Sequence, residues 1–263
     1  DIQKGPVMRV ATYERGRLRF WTDPFEINVS NEFHFFTPSD SVQDVTLFAK
    51  YTLRADEMFL NRMIGGTFEG SNDPDFREKE VLYLINEKPK RLQTVVQSYS
   101  SKSYRYVRYI GPKDSHCNIA EAAFYTPNDT ASLKGKVIGT PGCFQKDGSH
   151  EYTNVFDGDV TTSFDYIEPS GGWSGLDLGT PKQIGRIVYT PRSYDNYIRS
   201  GDDYELFYCA RRNNWKSLGD QRSKADSLIY IKIPVNALLL LCNNTRGIQE
   251  RIFVYTAAEQ IWK

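Results

Sequence analysis

No apolar run in this chain is longer than a single strand. The longest, Ala237 to Cys242, spans six residues. A helix that crosses a bilayer needs about 20 apolar residues, so the chain must hide its apolar side chains in many short elements. Arg17 to Trp21 alternates polar and apolar residues, as a half-buried strand does. Ile187 with Tyr189, and the run Tyr204 to Cys209, have the same strand character. The N-terminal stretches VMRVATYE, RLRFWT, FEINVS and EFHFFT are separated by short turns such as Glu14-Arg15-Gly16, which reads as antiparallel pairing. Helix signals are few. One short helical turn is expected after Pro74, with Asn72 or Asp73 as its cap. Many short strands at regular spacing predict an all-β chain of antiparallel β-sandwiches.

The composition narrows the function classes. The chain has 263 residues, enough for two ordinary domains, and its formal net charge is zero. It therefore lacks the basic footprint of a nucleic-acid binder. Seventeen Tyr and fifteen Phe supply material for β cores, and a few exposed ones would suit stacking on sugar rings. The start at Asp1, without Met, points to a processed chain and is compatible with export. The four cysteines form no C-x-x-C pair and the three histidines do not cluster with them, so no zinc site is expected. Cys209 and Cys242 end two predicted strands and would be candidates for a disulfide in an exported protein. No G-x-S-x-G elbow, H-E-x-x-H or P-loop is present, and no catalytic residues are assigned.

The chain repeats itself. GGTFEGSNDPDF (65–76) lines up with GDDYELFYCARR (201–212), placing Phe68 with Tyr204 and Glu69 with Glu205. The stretch 45–64 lines up with 184–200, and 104–126 with 237–256. Nothing before residue 45 matches NVFDGDVTTSF (154–164) or GGWSGLDLG (171–179). Between the halves, 127–150 is rich in Pro, Gly, Asn, Asp, Ser and Thr, the turn-forming set. The expected division is a variant sandwich over 1–128, a linker over 129–150 and a second sandwich over 151–263.

The order FDGD..T, W.GLDLG, I..I.Y.PR and YEL…W..LG across roughly 150–256 resembles the discoidin, or coagulation-factor type C, family. "F.GSNDP.F" and "YRYVRY…CNIAE..F" extend that resemblance to the first half. It implies tandem jelly-roll, galactose-binding-like sandwiches that act as binding modules rather than catalysts. It also implies a structural calcium at the FDGD loop, held by Asp157, Asp159 and Thr162, with a further carboxylate from the last strand. In the first half Glu121 sits at that place; in the second, Arg251 does, with Glu250 one residue earlier. The same loop residues would equally serve an Asx-type turn bonded to backbone N–H groups.

The polar loop after Tyr189 holds every side-chain type that a saccharide site needs. Arg192, Asn196 and Arg199 would donate hydrogen bonds and Tyr194 or Tyr166 would stack, with Trp173 at the same rim. The competing reading pairs Arg192 with Asp195 at the surface and buries Trp173 in the core. The expectation is a non-catalytic, carbohydrate-binding module without nucleic-acid or membrane insertion. It would be secreted, periplasmic or cell-surface, and part of a longer polysaccharide-handling protein with further partner domains. A structural spacer or protein-interaction module is the alternative.

Overall fold

The computed structural model describes residues 6–51, 54–145, 147–210, 214–247 and 250–263. Apart from one α-helix, α1 (Arg54–Arg62), and a 3-10 turn (Tyr152–Phe156), its regular structure is strand. Every strand pairing among the described residues is antiparallel, in the all-β class expected. No described helix is long and apolar enough to cross a membrane.

The chain forms two compact units. One is Leu53–Asp195; the other joins Asp1–Thr52 to Asn196–Lys263. The first is thus an insertion in the second. The second closes behind the insertion by pairing its own two segments: Lys50 N–H donates to Asn196 O (2.6 Å) and Ile198 N–H to Phe48 O (3.0 Å).

In the inserted unit a five-stranded sheet runs β11 (Lys136–Gly139), β12 (Trp173–Gln183), β9 (Ser103–Ile110), β6 (Thr67–Ser71), β7 (Lys79–Leu84). A three-stranded sheet runs β10 (Ile119–Tyr125), β13 (Arg186–Pro191), β8 (Thr94–Gln97). Alternation along the strands sends Phe68, Leu82, Val107 and Leu176 of the larger sheet, and Ala122, Phe124, Ile187 and Tyr189 of the smaller, into one buried core. The Phe, Leu, Ile and Val side chains among them each contribute about 1.5–3 kcal/mol relative to exposure. Met63, just past α1, and Val155, in the 3-10 turn, join the same core.

The discontinuous unit has a five-stranded sheet in the order β15 (Asn214–Arg222), β14 (Asp203–Ala210), β17 (Leu239–Asn243), β18 (Ile252–Thr256), β19 (Glu259–Trp262). A two-stranded sheet, β5 (Val42–Leu47) with β16 (Leu228–Pro234), shares its core: Val45, Leu47, Leu228 and Tyr230 pack with Tyr204, Leu206, Leu239 and Phe253. Two hairpins precede it, β1 (Ala11–Glu14) with β2 (Arg17–Trp21), and β3 (Phe25–Ile27) with β4 (Phe33–Phe35). The first turns on Arg15 and Gly16, both at positive φ, as a type I′ turn requires.

The expected division at 128 and 151 is not the one the chain adopts. β12 pairs with β9, from Trp173 opposite Ile110 to Gln183 opposite Ser103, and β13 pairs with β10. Backbone hydrogen bonds therefore join the two expected domains into one sandwich. The expected linker supplies β11, a buried Cys143, and Leu133 packed on the core. Its turn residues mark tight turns inside a unit rather than a boundary.

The aligned stretches hold corresponding ladder positions over part of their length. β6, β7 and β9 occupy the same ladder positions as β14, β15 and β17, and Phe68 and Tyr204 are both fully buried. The match ends at the last strand: β10 joins the three-stranded sheet, whereas β18 stays beside β17.

Two smaller expectations also differ. Residues 72–78 form a turn rather than a helix, because the Asp73 carboxylate accepts the N–H groups of Asp75 (3.1 Å) and Arg77 (3.3 Å) and the Arg77 side chain (2.9 Å). Cys209 and Cys242 are free thiols. Cys242 lies opposite Glu205, four residues from Cys209, which at 3.3 Å per residue is about 13 Å and beyond disulfide reach.

Candidate ligand-binding site

The outer face of the three-stranded sheet carries a groove that follows from strand alternation. Ala122, Phe124, Ile187 and Tyr189 point to the core, so Glu121, Ala123 and Tyr125 of β10 and Arg186, Val188 and Thr190 of β13 stand on the opposite face. The register sets them in rows: Tyr125 opposite Arg186, Ala123 opposite Val188, and Glu121 opposite Thr190, with Val95 of β8 beyond Val188. Small side chains fill the middle row. Ala123, Val188 and Val95 form an apolar floor between two taller walls. One wall is Tyr125, whose ring lies 4.0 Å from the Arg186 guanidinium carbon. The other is Glu121 and Thr190, with Gln93, Gly158 and Val160. The groove holds about 360 Å³. A second groove of about 270 Å³ lies on the far side of Glu121 and Gly158, against Ser132, Lys134, Asp157 and Leu176.

Glu121 is the hinge between the two grooves. Its Oε1 accepts the Gly158 N–H at 2.8 Å. Burial pushes its carboxyl up to about 8, and hydrogen-bonding contact with the Asp157 carboxyl adds to the rise. Sequence reasoning placed Glu121 in the first half and the FDGD loop in the second. The fold brings them together, with Glu121 in contact with Gly158 and Asp157.

The FDGD loop itself is a tight polar turn, with Gly158 at φ 85°. Asp157 Oδ1 accepts the Asp159 N–H (2.7 Å), and Thr162 Oγ1 donates to Asp157 Oδ2 (2.8 Å). Asp159 turns away, its Oδ1 accepting the N–H (2.9 Å) and hydroxyl (2.6 Å) of Thr161. Asp157 thus meets Glu121 through its carboxyl and Asp159 through its backbone N–H, while Thr162 holds the Asp157 carboxylate. Among the described residues, no three His, Cys, Asp or Glu side chains converge as metal ligands.

The loop expected to bind saccharide is divided and mostly occupied. Arg192, Tyr194, Tyr166 and Trp173 belong to the inserted unit; Asn196 and Arg199 belong to the other. The Arg192 side chain is 12% exposed and anchored by its neighbours. Its Nη1 donates to Asp165 Oδ2, whose other oxygen accepts Asn118 Nδ2 at 2.7 Å. Arg62 reaches the Asn118 oxygen at 3.1 Å, and the Arg192 guanidinium lies 4.3 Å from the Phe59 ring centre. Asp165, not Asp195, is therefore the Arg192 partner. Tyr194 is 46% exposed, with its ring against Phe59 at 5.7 Å. Tyr166 is half-buried, packed on the core with its ring 6.0 Å from Phe164.

Trp173 lies outside the core cluster. Its half-buried ring covers the outer face of the five-stranded sheet, 5.6 Å from the Phe76 ring and 5.2 Å from the Arg108 guanidinium. Asn196 is buried, and the Arg199 N–H donates to the Tyr204 hydroxyl at 2.9 Å.

The groove residues Gln93, Tyr125, Arg186 and Val188 went unnoticed in the sequence. The signal that marks them is the i, i+2 alternation of AEAAFY and RIVYT, which assigns each strand an outer set. Which strands lie side by side is decided only by the fold. No family model matches the chain, and neither a curated protein nor a solved structure matches it.

Proposed function

We propose that the chain is a non-catalytic binding module for carbohydrate, with the ligand seated in the groove on the outer face of the three-stranded sheet. The observation that carries this reading is the groove's build: an apolar floor flanked by an aromatic ring, a guanidinium, an amide, a hydroxyl and a carboxyl. A sugar ring presents a C–H face to such a floor and hydroxyls to such walls. The discoidin-like motifs support the same class of ligand, an exported setting and a place in a longer polysaccharide-handling chain.

The close carboxyl pair Glu121 and Asp157 does not have the spacing of a glycosidase pair. Hydrolysis needs two carboxyls about 5–9.5 Å apart across the scissile bond, whereas these two are in contact. The pair suits a hard cation instead. Calcium takes carboxylate, hydroxyl and carbonyl oxygens, and Glu121 and Asp157 would hold it, with Thr162 fixing the Asp157 carboxylate. Burial and the Asp157 contact raise the Glu121 carboxyl, and a bound cation would relieve that repulsion. Bound calcium would supply structural cross-linking of the loop to β10 and no chemistry.

The alternative reading, a protein-interaction module, draws on the exposed β1–β2 hairpin with Tyr13 and Phe20 at its surface. A glycan array decides between them. The parent chain is expected to bind at least one glycan, and Tyr125→Ala with Gln93→Ala to lose that binding with a nearly unchanged melting temperature. An array without signal, or a variant that binds like the parent, would remove the carbohydrate reading.

A further inference from the structure

Resting on that carbohydrate reading, we infer that the site takes a run of consecutive units of a linear glycan rather than one terminal sugar, because the face groove and the groove beyond Glu121 lie along one path over the edge of β10. Glu121, Ala122, Ala123 and Gly158 line both grooves. Ala122 points to the core and Ala123 to the outer face, so a cavity that touches both reaches the edge of the strand. β10 is the outermost strand of its sheet, with β13 on one side only. Its other edge is covered at two points: Ile119 O accepts the Phe164 N–H (2.8 Å) and Phe124 O accepts the Leu133 N–H (2.7 Å). Between those points the side chains at 122 and 123 are alanines, which keep the path low.

The two grooves are built alike. In the first, small apolar side chains make the floor and polar groups the walls. In the second, Leu133, Val137 and Phe156 pack on the core and turn their remaining surface to the groove, while Ser132 and Lys134 stand at its wall. A linear glycan offers C–H faces and hydroxyls at every unit, so it meets matching chemistry in both places. At about 360 and 270 Å³ each groove alone lies near the lower limit for a ligand site, about 300 Å³. The bond from the Gly158 N–H to Glu121 Oε1 (2.8 Å) joins two residues common to both grooves and stands at their junction. It divides the path into two subsites, and a glycosidic linkage would pass over it.

The test is the dependence of affinity on chain length. Disaccharides through hexasaccharides of the cello-, xylo-, manno- and galacto- series, with the homologous series of any further array hit, are titrated into the full chain by calorimetry. In the series that binds, we expect the hexasaccharide to exceed the disaccharide by about thirtyfold, the worth of two net hydrogen bonds in the second groove. A hexasaccharide holds five overlapping disaccharide frames, so a single subsite yields a gain of about fivefold at most. The variant Ser132→Ala/Lys134→Ala should fall to that frame-counting gain.

A gain no larger than frame counting in the parent overturns the two-subsite inference and leaves the carbohydrate reading standing. Equal binding, on the array, of every glycan that ends in one particular sugar, whatever unit precedes it, does the same. A Ser132→Ala/Lys134→Ala chain that keeps the parent's gain also overturns the inference, because the second groove would then contribute nothing. Binding of no glycan on the array overturns both readings. The parent's length dependence carries the test if the double variant fails to fold.

Discussion

In the inserted unit the residue after the buried Phe68 is Glu69, and in the other unit the residue after the buried Tyr204 is Glu205. The two glutamates hold matching places in matching ladders and live in different chemistry. Glu69 is 3% exposed, facing Arg108 across β9. It is bonded by Arg108 Nε (2.8 Å) and Nη2 (2.7 Å) and by Lys79 Nζ (2.8 Å), while the Phe76 ring covers the guanidinium at 4.1 Å. Glu205 faces Cys242 across β17, is half-exposed, and accepts a hydrogen bond from Ser217 Oγ at 2.7 Å. The 72–78 turn brings Phe76 over the sheet in the first case. A shared ladder position therefore sets where a side chain points, and the covering loop decides whether it is a buried ion pair or a wet surface group.

The smaller sheets differ in the same way. Three strands in the inserted unit leave a middle row of small residues flanked by taller ones, which makes a groove. The two strands of the other unit expose Ile229 and Ile231 above 60%. There a bulge with Lys232 at φ 59°, and Pro234 at the strand end, disfavour further edge pairing.

The largest test of this contrast is excision. A fragment 53–195 should unfold cooperatively, since it holds every partner strand of its own sandwich. A fragment 151–263, the natural cut by repeat alignment, should not fold, because β12 and β13 lose β9, β10 and β8. Circular dichroism melts of both fragments check this, and the reverse result would dissolve the two-unit description.

Next in size is the paired glutamate. Arg108→Met alone should cost about 3 kcal/mol in urea denaturation, because it strips the main partner from a buried carboxylate. Adding Glu69→Gln should recover most of the loss. Glu205→Gln in the other unit should stay within about 0.5 kcal/mol.

Smaller again is the response to pH. The Glu121 carboxyl rises from its ordinary 4.5 to about 8 on folding. Its contribution is fully present below 4.5 and is lost as pH climbs through about 8, where the native state must hold an ionised, half-buried carboxylate. The melting temperature should fall across that window in chelator. Glu121→Gln should flatten the fall, and calcium should restore stability at the alkaline end, since a ligand of the native state alone stabilises it. An unchanged pH profile in Glu121→Gln would contradict the assignment. The smallest effect is expected on the face without a groove: Ile229→Thr with Ile231→Thr should alter stability by no more than about 0.5 kcal/mol and leave glycan binding intact, whereas Val188→Asp should abolish binding.

The alternation of polar and apolar residues and the turn chemistry were enough to read the strands. RLRFW, FEI and IVYTP are strands where the pattern places them, and Arg15-Gly16 turns where its residues demand positive φ. The pairing of Phe68 with Tyr204 was equally legible, because buried aromatics at equal spacing repeat visibly. Arg192 was legible as a functional-looking residue and misleading as a surface one. Nothing in YTPRSYDNY announces that Asp165, 27 residues earlier, will pair with it in a mostly buried position. The same holds for Glu121, whose carboxyl partner lies 36 positions on.

Local periodicity and local bonding belong to neighbouring residues, so the sequence by itself determined the all-β class, the strand positions and the hairpin turns. Partnership between distant strands depends on which apolar faces can be buried together, and that is a property of the whole packed chain. Only the tertiary structure decided that repeat and sandwich are out of phase and that Glu121 meets the FDGD loop. It also decided that the outward set of three strands forms a groove. A strand's own residues specify what it will present, and the neighbours that hydrogen-bond to its edges specify to whom.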